Sequence, residues 1–156
     1  MVKKHSDFIN YVVALAEKNV QKNNGGPFAA VIVKKNEIIS SGCNRVTAKN
    51  DPTLHAEIDA IRKAAKKLKT FDLGGCVMYA SCQPCPMCLS AVYWANIKNI
   101  YYAASKETAA VYGFRDNKIY KELKTKITSV KMIKINNNDS LKPFEIWNAK
   151  EEKVKY

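Results

Sequence analysis

The stretch that decides the fold spans residues 28–42, Phe28-Ala29-Ala30-Val31-Ile32-Val33, then Lys34-Lys35-Asn36, then Glu37-Ile38-Ile39-Ser40-Ser41-Gly42. Two short β-prone runs are separated by a polar triplet, and this pattern predicts a β-hairpin. Before the hairpin, apolar residues recur at helical spacing over residues 6–22, and Asn23-Asn24-Gly25-Gly26-Pro27 ends that pattern. We therefore expect an amphipathic helix followed by a hairpin.

After the hairpin, predicted helices and strands alternate along the chain. Asp51-Pro52 provides a helix cap and a first-turn proline for a helix that continues to about Leu68. A second helix is expected from Pro86 to Trp94, and strands are expected at residues 76–81, 97–104 and 127–135. Helices that alternate with strands after an opening hairpin predict an α/β fold, a three-layer α/β/α sandwich around a mixed sheet of about five strands.

Length and composition predict one domain over residues 1–156. The chain is 47% hydrophobic and has only 6 Gly and 5 Pro, which excludes collagen-like and disordered classes. Its apolar runs all fall short of the ~20 residues of a membrane span. Residues 1–7 are charged and lack the apolar segment of a secretory signal. These features predict a cytoplasmic protein with no membrane partner.

The charge balance raises the question of a nucleic-acid partner. Lys and Arg number 26 against 14 Asp and Glu, a net charge of +12. The arginines are only Arg45, Arg62 and Arg115, whereas surfaces that bind phosphate usually enrich arginine for its bidentate geometry. Compositional drift toward lysine is therefore the favoured interpretation, and nucleic-acid binding stays as the weaker alternative.

Two short motifs indicate a zinc site. His55-Ala56-Glu57 and Pro84-Cys85-Pro86-Met87-Cys88 match the pattern H-x-E … P-C-x-x-C of zinc deaminases. Cys85 and Cys88 are three residues apart on a helical turn and share one face. One imidazole and two thiolates leave the fourth tetrahedral position for water, which is typical of a catalytic zinc.

Glu57 and Cys82 distinguish a catalytic site from a structural one. Glu57 fits a general base that takes a proton from water, although a glutamate in the first turn of a helix can also be a solvated residue that faces the helix dipole. Cys82 could complete a closed site with His55, Cys85 and Cys88, which would stabilise the fold and catalyse nothing. The intervening prolines, which interrupt helical continuation from Cys82, disfavour that closed site.

The motifs and their surroundings resemble the cytidine deaminase superfamily and, within it, the bacterial guanine deaminases. The resemblance covers nearly the whole chain, and Trp94, Asp116 and the terminal Tyr156 narrow it to that branch. The similar stretches are Gly25-Gly26-Pro27-Phe28, Asn50-Asp51-Pro52-Thr53, the two zinc motifs, Tyr93-Trp94-Ala95, Gly113-Phe114, Ile119-Tyr120-Lys121-Glu122, Pro143-Phe144, Trp147 and Tyr156.

The resemblance implies a role for each matching position in the zinc centre. His55, Cys85 and Cys88 would bind one Zn²⁺ per subunit. Glu57 would transfer protons during catalysis.

For the substrate, the resemblance implies that Phe28 stacks on a purine base. Asn44 and the backbone of Ala56 would hydrogen-bond to the edge of the purine, and Asp116 would contact the amino group that leaves. Arg115 departs from the family pattern, because an acidic residue is expected beside Asp116. An ion pair between Arg115 and Asp116 would change how that carboxylate recognises a substrate.

The resemblance also implies a domain-swapped homodimer. A C-terminal segment of about residues 139–156 would cross to the partner, so that Tyr156 closes the partner's pocket and Trp94 lies near it. The implied activity is hydrolytic deamination of guanine to xanthine and ammonia, in purine salvage or catabolism. The alternatives are deamination of adenosine in tRNA, deamination of guanosine or another aminopurine, pterin or triazine, and a non-enzymatic zinc module.

Overall fold

The computed structural model describes residues 3–125, 132–135, 137, 139, 141–149 and 151. The elements of this part are α1 (His5–Gln21), β1 (Ala29–Lys34), β2 (Glu37–Cys43), α2 (Val46–Lys49), α3 (Ala56–Leu68), β3 (Val77–Cys82), α4 (Pro86–Trp94), β4 (Asn99–Ala104), α5 (Lys106–Val111), α6 (Asp116–Thr125) and α7 (Lys142–Ala149). Among the helices described, none is both long and apolar enough to cross a membrane.

The strands form a mixed sheet in the order β2-β1-β3-β4. Strand β1 pairs antiparallel with β2 and with β3, whereas β3 and β4 are parallel. The hairpin predicted from residues 28–42 is therefore confirmed as β1 and β2. The parallel pair requires a crossover connection, and α4 provides it.

Alternate residues of β1 face two different helical layers. Ala30 and Ile32 belong to a buried cluster that includes the α3 alanines, whereas Val31 and Val33 pack with Phe8 of α1 in a second cluster. Because successive strand side chains point to opposite faces, both faces of the sheet are buried at β1, and helices cover each face there. The predicted three-layer α/β/α sandwich is confirmed.

The strand count differs from the expectation. The described part of the sheet has four strands instead of about five. Of the strand predicted over residues 127–135, residues 132–135 are described and form no strand, and the remainder lies outside the described residues. Met132 and Ile135 are 91% and 80% exposed. The apolar side chains of this region are therefore not buried against any described element.

Helix α3 begins later than Asp51-Pro52 suggested. The Asp51 carboxylate accepts hydrogen bonds from the Thr53 backbone N–H at 2.8 Å and from its hydroxyl at 2.7 Å, which closes a local turn ahead of the helix. The N-cap residue is instead His55, which has an extended backbone. This late start leaves the His55 side chain at the tip of the helix.

The N-terminal part of α3 lies directly against β2. At Gly42, an added Cβ atom would overlap the carbonyl oxygen of Ala56 and the backbone nitrogen of Ala60. The Ser40 hydroxyl donates a hydrogen bond to the Ala60 carbonyl at 2.7 Å, and the Cys43 N–H donates one to Asp59 at 3.3 Å. Glycine at position 42 therefore permits the close contact that fixes the start of α3 relative to the sheet.

Candidate active site and zinc centre

Two helix N-termini meet at the predicted zinc motifs. His55 is the N-cap of α3, Cys85 is the N-cap of α4, and Cys88 lies in the first turn of α4 after Pro86. Helix N-termini carry a partial positive charge, which favours the thiolate form of nearby cysteines. The fold therefore brings the three predicted ligands together from two segments.

The distances between these side chains suit a tetrahedral zinc ion. The Nδ1 atom of His55 lies 3.6 Å from the Sγ of Cys85 and 3.6 Å from the Sγ of Cys88. An ion about 2.3 Å from sulfur and about 2.0 Å from nitrogen would set a sulfur–nitrogen separation of roughly 3.6 Å in tetrahedral geometry. The donor set and its spacing therefore fit zinc, with one coordination position left over.

The ionisation of the cysteines agrees with a metal-binding role. A hydrogen bond from Cys88 lowers the pKa of Cys85 to about 4. The same interaction, together with burial, raises the pKa of Cys88, and the hydrogen bond to Cys85 raises the pKa of His55. A metal ion binds thiolates and neutral imidazole. Zinc binding would therefore displace any proton held by the Cys88 thiol or the His55 ring.

Cys82 does not belong to the zinc centre. It ends β3, where its Sγ donates to the carbonyl oxygen of Ser105 at 3.6 Å, and burial raises its pKa to about 11. Among the described residues, the group that could hold a metal ion consists of His55, Cys85 and Cys88. The geometry therefore does not support the closed four-ligand alternative.

Glu57 is buried beside the metal ligands. Its side chain is 7% exposed, and its Oε2 atom accepts a hydrogen bond from Cys88 Sγ at 3.3 Å. Burial raises the pKa of this carboxyl group above its usual range. The interpretation of Glu57 as a solvated surface glutamate is therefore wrong.

A cavity of about 230 Å³ opens onto this centre. Ligand pockets commonly measure about 300–1,000 Å³, so this one suits a small molecule such as a single heterocycle. It is lined by Gly26, Phe28, Asn44, Val46, Thr47, His55, Glu57, Gln83, Cys85, Phe114 and Asp116.

The amide of Asn44 is oriented by its neighbours in the cavity wall. Its Oδ1 atom accepts hydrogen bonds from the backbone N–H of Gly26 at 3.1 Å and of Val46 at 3.3 Å. The Nδ2 hydrogens are therefore the group that Asn44 can offer to a molecule in the cavity. Gly25, at a φ of +152°, permits this arrangement, because a Cβ atom there would overlap the Asn44 carbonyl.

Asp116 lies at the N-terminus of α6 and lines the cavity. Burial, followed by the nearby Cys85 thiolate, raises the pKa of its carboxyl group. Arg115 is exposed, and none of the ion pairs within the described residues joins it to Asp116. Among the described residues, the Asp116 carboxylate thus lies beside the cavity without an ion-pair partner.

The family comparison agrees with this site. The family described as the cytidine and deoxycytidylate deaminase zinc-binding region matches residues 2–104, which include both zinc motifs. The chain belongs to this deaminase family.

Individual relatives of the deaminase include guanine deaminase of Bacillus subtilis (strain 168), which is 45% identical over 154 residues, covering 97% of this chain and 99% of the relative. A crystal structure of guanine deaminase from Bacillus subtilis superposes with a TM-score of 0.94 at 44% identity over 99% of each chain. The tRNA-specific adenosine deaminase of Aquifex aeolicus (strain VF5) is 41% identical over 93 residues, 59% of this chain and 62% of that one. The similarity to the guanine deaminase thus extends over nearly the whole chain.

The aromatic wall of the deaminase cavity is larger than the sequence suggested. The rings of Phe28 and Phe114 meet edge to face, with centroids 4.7 Å apart and planes at 79°. Phe114 lies in the connection before α6. The resemblance included Gly113-Phe114 but assigned Phe114 no role, and periodicity gives none in a connecting segment. Gln83, Val46 and Thr47 were likewise not predicted as lining residues, because each is an ordinary loop or helix residue in the sequence.

Two predicted substrate contacts are not formed by the described part of one deaminase chain. Trp94 ends α4, is 64% exposed and lies with Phe71 along a shallow apolar groove between α3 and α4, away from the residues that line the cavity. Tyr156 lies outside the described residues. Ala56 is the first residue of α3, between the lining residues His55 and Glu57, but it is not itself among the residues that line the cavity. Its N–H has no acceptor within the helix.

Tyr120 belongs to one of the stretches that carry the resemblance, but sequence reasoning assigned it no role, and the structure places it next to the deaminase site. Its hydroxyl donates to the carbonyl oxygen of Pro84 at 2.8 Å, and the Lys106 ammonium lies 5.6 Å from its ring centroid. Tyr120 is one helical turn after Asp116 on α6. It therefore connects the helix that carries Asp116 to the loop that precedes Cys85.

Proposed function

We propose that this deaminase hydrolyses guanine to xanthine and ammonia, as a step in purine salvage or catabolism. The similarity to Bacillus subtilis guanine deaminase over 97% of the chain carries the proposal. The cavity supports it, because its volume suits a free base and aromatic rings and a few polar groups surround the zinc centre.

The metal ligands of the reaction are His55, Cys85 and Cys88. Zinc, when bound, supplies a Lewis acid that lowers the pKa of water to about 7. Glu57 accepts the proton from the attacking water as the oxygen adds to the amino-bearing carbon of the base. It delivers that proton to the adjacent ring nitrogen, then takes the remaining proton from the added hydroxyl and passes it to the amino group. The carbon–oxygen bond becomes a carbonyl as the carbon–nitrogen bond breaks, and ammonia departs. The raised pKa of Glu57 suits it to hold a proton between these steps.

Residues in and next to the cavity orient the purine. Phe28 stacks on the ring, and Asn44 donates from Nδ2 to an acceptor on the purine edge. The Ala56 N–H donates at the N-terminus of α3, where it has no partner within the helix. Asp116 accepts a hydrogen bond from the amino group that leaves. Such contacts orient the base with its amino-bearing carbon toward the zinc centre.

The assembled form is a homodimer in which residues 139–156 cross to the partner. Every described residue of α7 is exposed, and the large apolar side chains Leu141, Phe144 and Ile146 are 64–70% exposed. A helix with exposed apolar residues requires a second surface, and a second copy of this chain provides one. In this arrangement Trp94 and Tyr156 belong to a composite pocket. A cytoplasmic location stays a prediction.

The second candidate is deamination of adenosine in tRNA. The net charge of +12 would support phosphate contacts, and tRNA-specific adenosine deaminases align with about half to two-thirds of this chain. A pocket closed by a terminal aromatic residue favours a free base, because an RNA enzyme needs an opening for a flipped nucleotide.

Substrate selectivity tests the proposed function. Guanine should be converted, whereas adenine and cytosine should react at least about 10⁴-fold less, because a mismatched purine edge leaves buried hydrogen-bonding groups unpaired. Asp116→Ala should lose guanine turnover and keep its zinc. The measurement is ammonia release from guanine, guanosine, adenine, cytosine and an adenosine-containing tRNA hairpin at low and raised salt.

An exposed aspartate serves as the matched control in that experiment. Asp7→Ala changes the same residue type at an exposed position in the first turn of α1, outside the cavity, and should leave guanine turnover unchanged. The guanine proposal would be wrong if only the hairpin were converted and its rate fell steeply as salt rises. Deamination of adenosine in tRNA would then be the supported function.

The role of the chain terminus is tested by removing residues 153–156. The truncated protein should keep its zinc and fold but lose most of its turnover of guanine, because Tyr156 would no longer close the partner's pocket. Ammonia release, metal analysis and sedimentation of the truncated chain report on these properties together. Unchanged catalysis would show that the terminus is a frayed end, and an open pocket mouth would then gain support.

A further inference from the structure

Asn19 is a buried polar residue on α1, and it is not among the residues that line the cavity or take part in the proposed reaction. Its side chain is 5% exposed, although asparagine is mostly found at protein surfaces. Buried amides are retained where their hydrogen-bonding groups are satisfied, so the partners of Asn19 indicate what it does.

Both partners of the Asn19 amide lie in the cavity wall. Its Nδ2 atom donates to the carbonyl oxygen of Asn44 at 2.9 Å and to that of Gly26 at 3.0 Å. Gly26 and Asn44 are also joined to each other, because the Gly26 N–H donates to Asn44 Oδ1 at 3.1 Å. The three residues form a closed hydrogen-bonded ring that connects α1, the loop before β1 and the loop after β2.

This ring contributes to which end of the Asn44 amide is available to a ligand. With Oδ1 occupied by the N–H groups of Gly26 and Val46, only the Nδ2 hydrogens remain for the cavity. Asn19 holds the Gly26 and Asn44 carbonyls at one place, so the Gly26 N–H stays aimed at Oδ1. A separate backbone hydrogen bond from Asn44 to Phe28, at 3.0 Å, keeps the two segments together without Asn19.

We propose that Asn19 is a positioning residue for purine recognition, which acts by fixing the orientation of the Asn44 amide. The proposal rests on the proposed function, since Asn44 must recognise the purine edge for its orientation to matter. Asparagine suits this position because one short side chain supplies two hydrogens from a single nitrogen. Aspartate has the same size and, when ionised, supplies none.

A double-mutant cycle separates positioning from a purely structural role. Asn19→Ala should raise the KM for guanine about tenfold, the typical effect of one misplaced hydrogen bond, while kcat changes less. Zinc content should stay at the wild-type level. In the Asn44→Ala background, the same Asn19→Ala change should alter kcat/KM by less than about twofold, because the group it positions is already absent.

The control variants keep size and location constant. Asn10→Ala removes an exposed asparagine from the same helix and should leave KM unchanged. Asn19→Asp keeps the volume of the side chain and should reproduce the rise in KM. Binding of 8-azaguanine to the Glu57→Gln protein, measured by calorimetry with and without Asn19→Ala, should weaken by a factor similar to the rise in KM.

Two outcomes would overturn the proposal. One is an equal loss of kcat/KM in the wild-type and Asn44→Ala backgrounds, which would show that Asn19 acts independently of Asn44. The other is failure of both Asn19 variants to fold, which would assign the residue to the fold alone. If the wild-type protein releases no ammonia from guanine, the proposed function fails, and the cycle is repeated with whichever substrate of the panel it converts.

Discussion

Replacement of Glu57 by glutamine is expected to reduce guanine turnover by roughly 10⁴-fold or more, because this residue serves more than one proton transfer and each contributes a factor of about 10²–10⁴. Glutamine has nearly the same size but cannot accept and release a proton in this way. Zinc content and thermal stability should be preserved, since the residues placed to bind the metal ion are His55, Cys85 and Cys88. The measurements are single-turnover ammonia release, metal analysis and a melting curve.

The matched control is Glu37→Gln, which makes the same change at an exposed residue at the start of β2. It should leave turnover unaltered. Retained turnover in Glu57→Gln would refute the assigned mechanism. Reduced zinc content in that variant would instead mean that the Glu57 hydrogen bond with Cys88 supports the metal ligands.

Loss of any one of the three metal ligands is expected to remove both zinc and activity. His55→Ala leaves a two-thiolate site, and Cys85→Ser replaces a thiolate whose pKa lies near 4 with a hydroxyl that stays protonated. Both variants should contain far less than one zinc per chain, and ammonia release should fall to background. Metal analysis after dialysis against a weak chelator provides the measurement.

Cys82→Ser is the matched control for the ligand substitutions. It makes the same chemical change within six residues of both cysteine ligands. The thiol that it removes donates a hydrogen bond to the carbonyl oxygen of Ser105 and is not one of the residues placed to bind the metal ion. Zinc and turnover should therefore remain near wild-type levels. Loss of zinc in Cys82→Ser would restore the closed four-ligand site and contradict the catalytic interpretation.

The local elements of this protein could be predicted from the sequence because their causes are local. The hairpin of β1 and β2 follows from two β-prone runs around Lys34-Lys35-Asn36, and the two faces of β1 follow from side chains that alternate along a strand. The spacing of Cys85 and Cys88 places both on one helical turn whatever the rest of the fold does. These patterns were sufficient for the α/β class and for the zinc motifs.

Two local expectations failed, for different reasons. Asp51 was expected to cap a helix, but its carboxylate accepts hydrogen bonds from Thr53 and closes a turn, and α3 starts at Ala56. Alternation over residues 127–135 predicted a strand, yet the described residues 132–135 form no strand and are exposed. Periodicity indicates which side chains could be buried and not whether a partner surface exists.

The arrangement of the site was decided by tertiary structure alone. His55 and Cys85 are 30 residues apart in sequence and 3.6 Å apart in space, a proximity that depends on how α3 and α4 pack on the same sheet. The burial of Glu57 and its raised pKa arise from that packing, and so does the exclusion of Cys82 from the metal group. The sequence by itself determined which residues have the chemistry of a zinc deaminase. Only the folded chain decided which of them meet, because distance, burial and hydrogen-bond direction depend on contacts between segments far apart in sequence, such as those of Asn19 with Gly26 and Asn44.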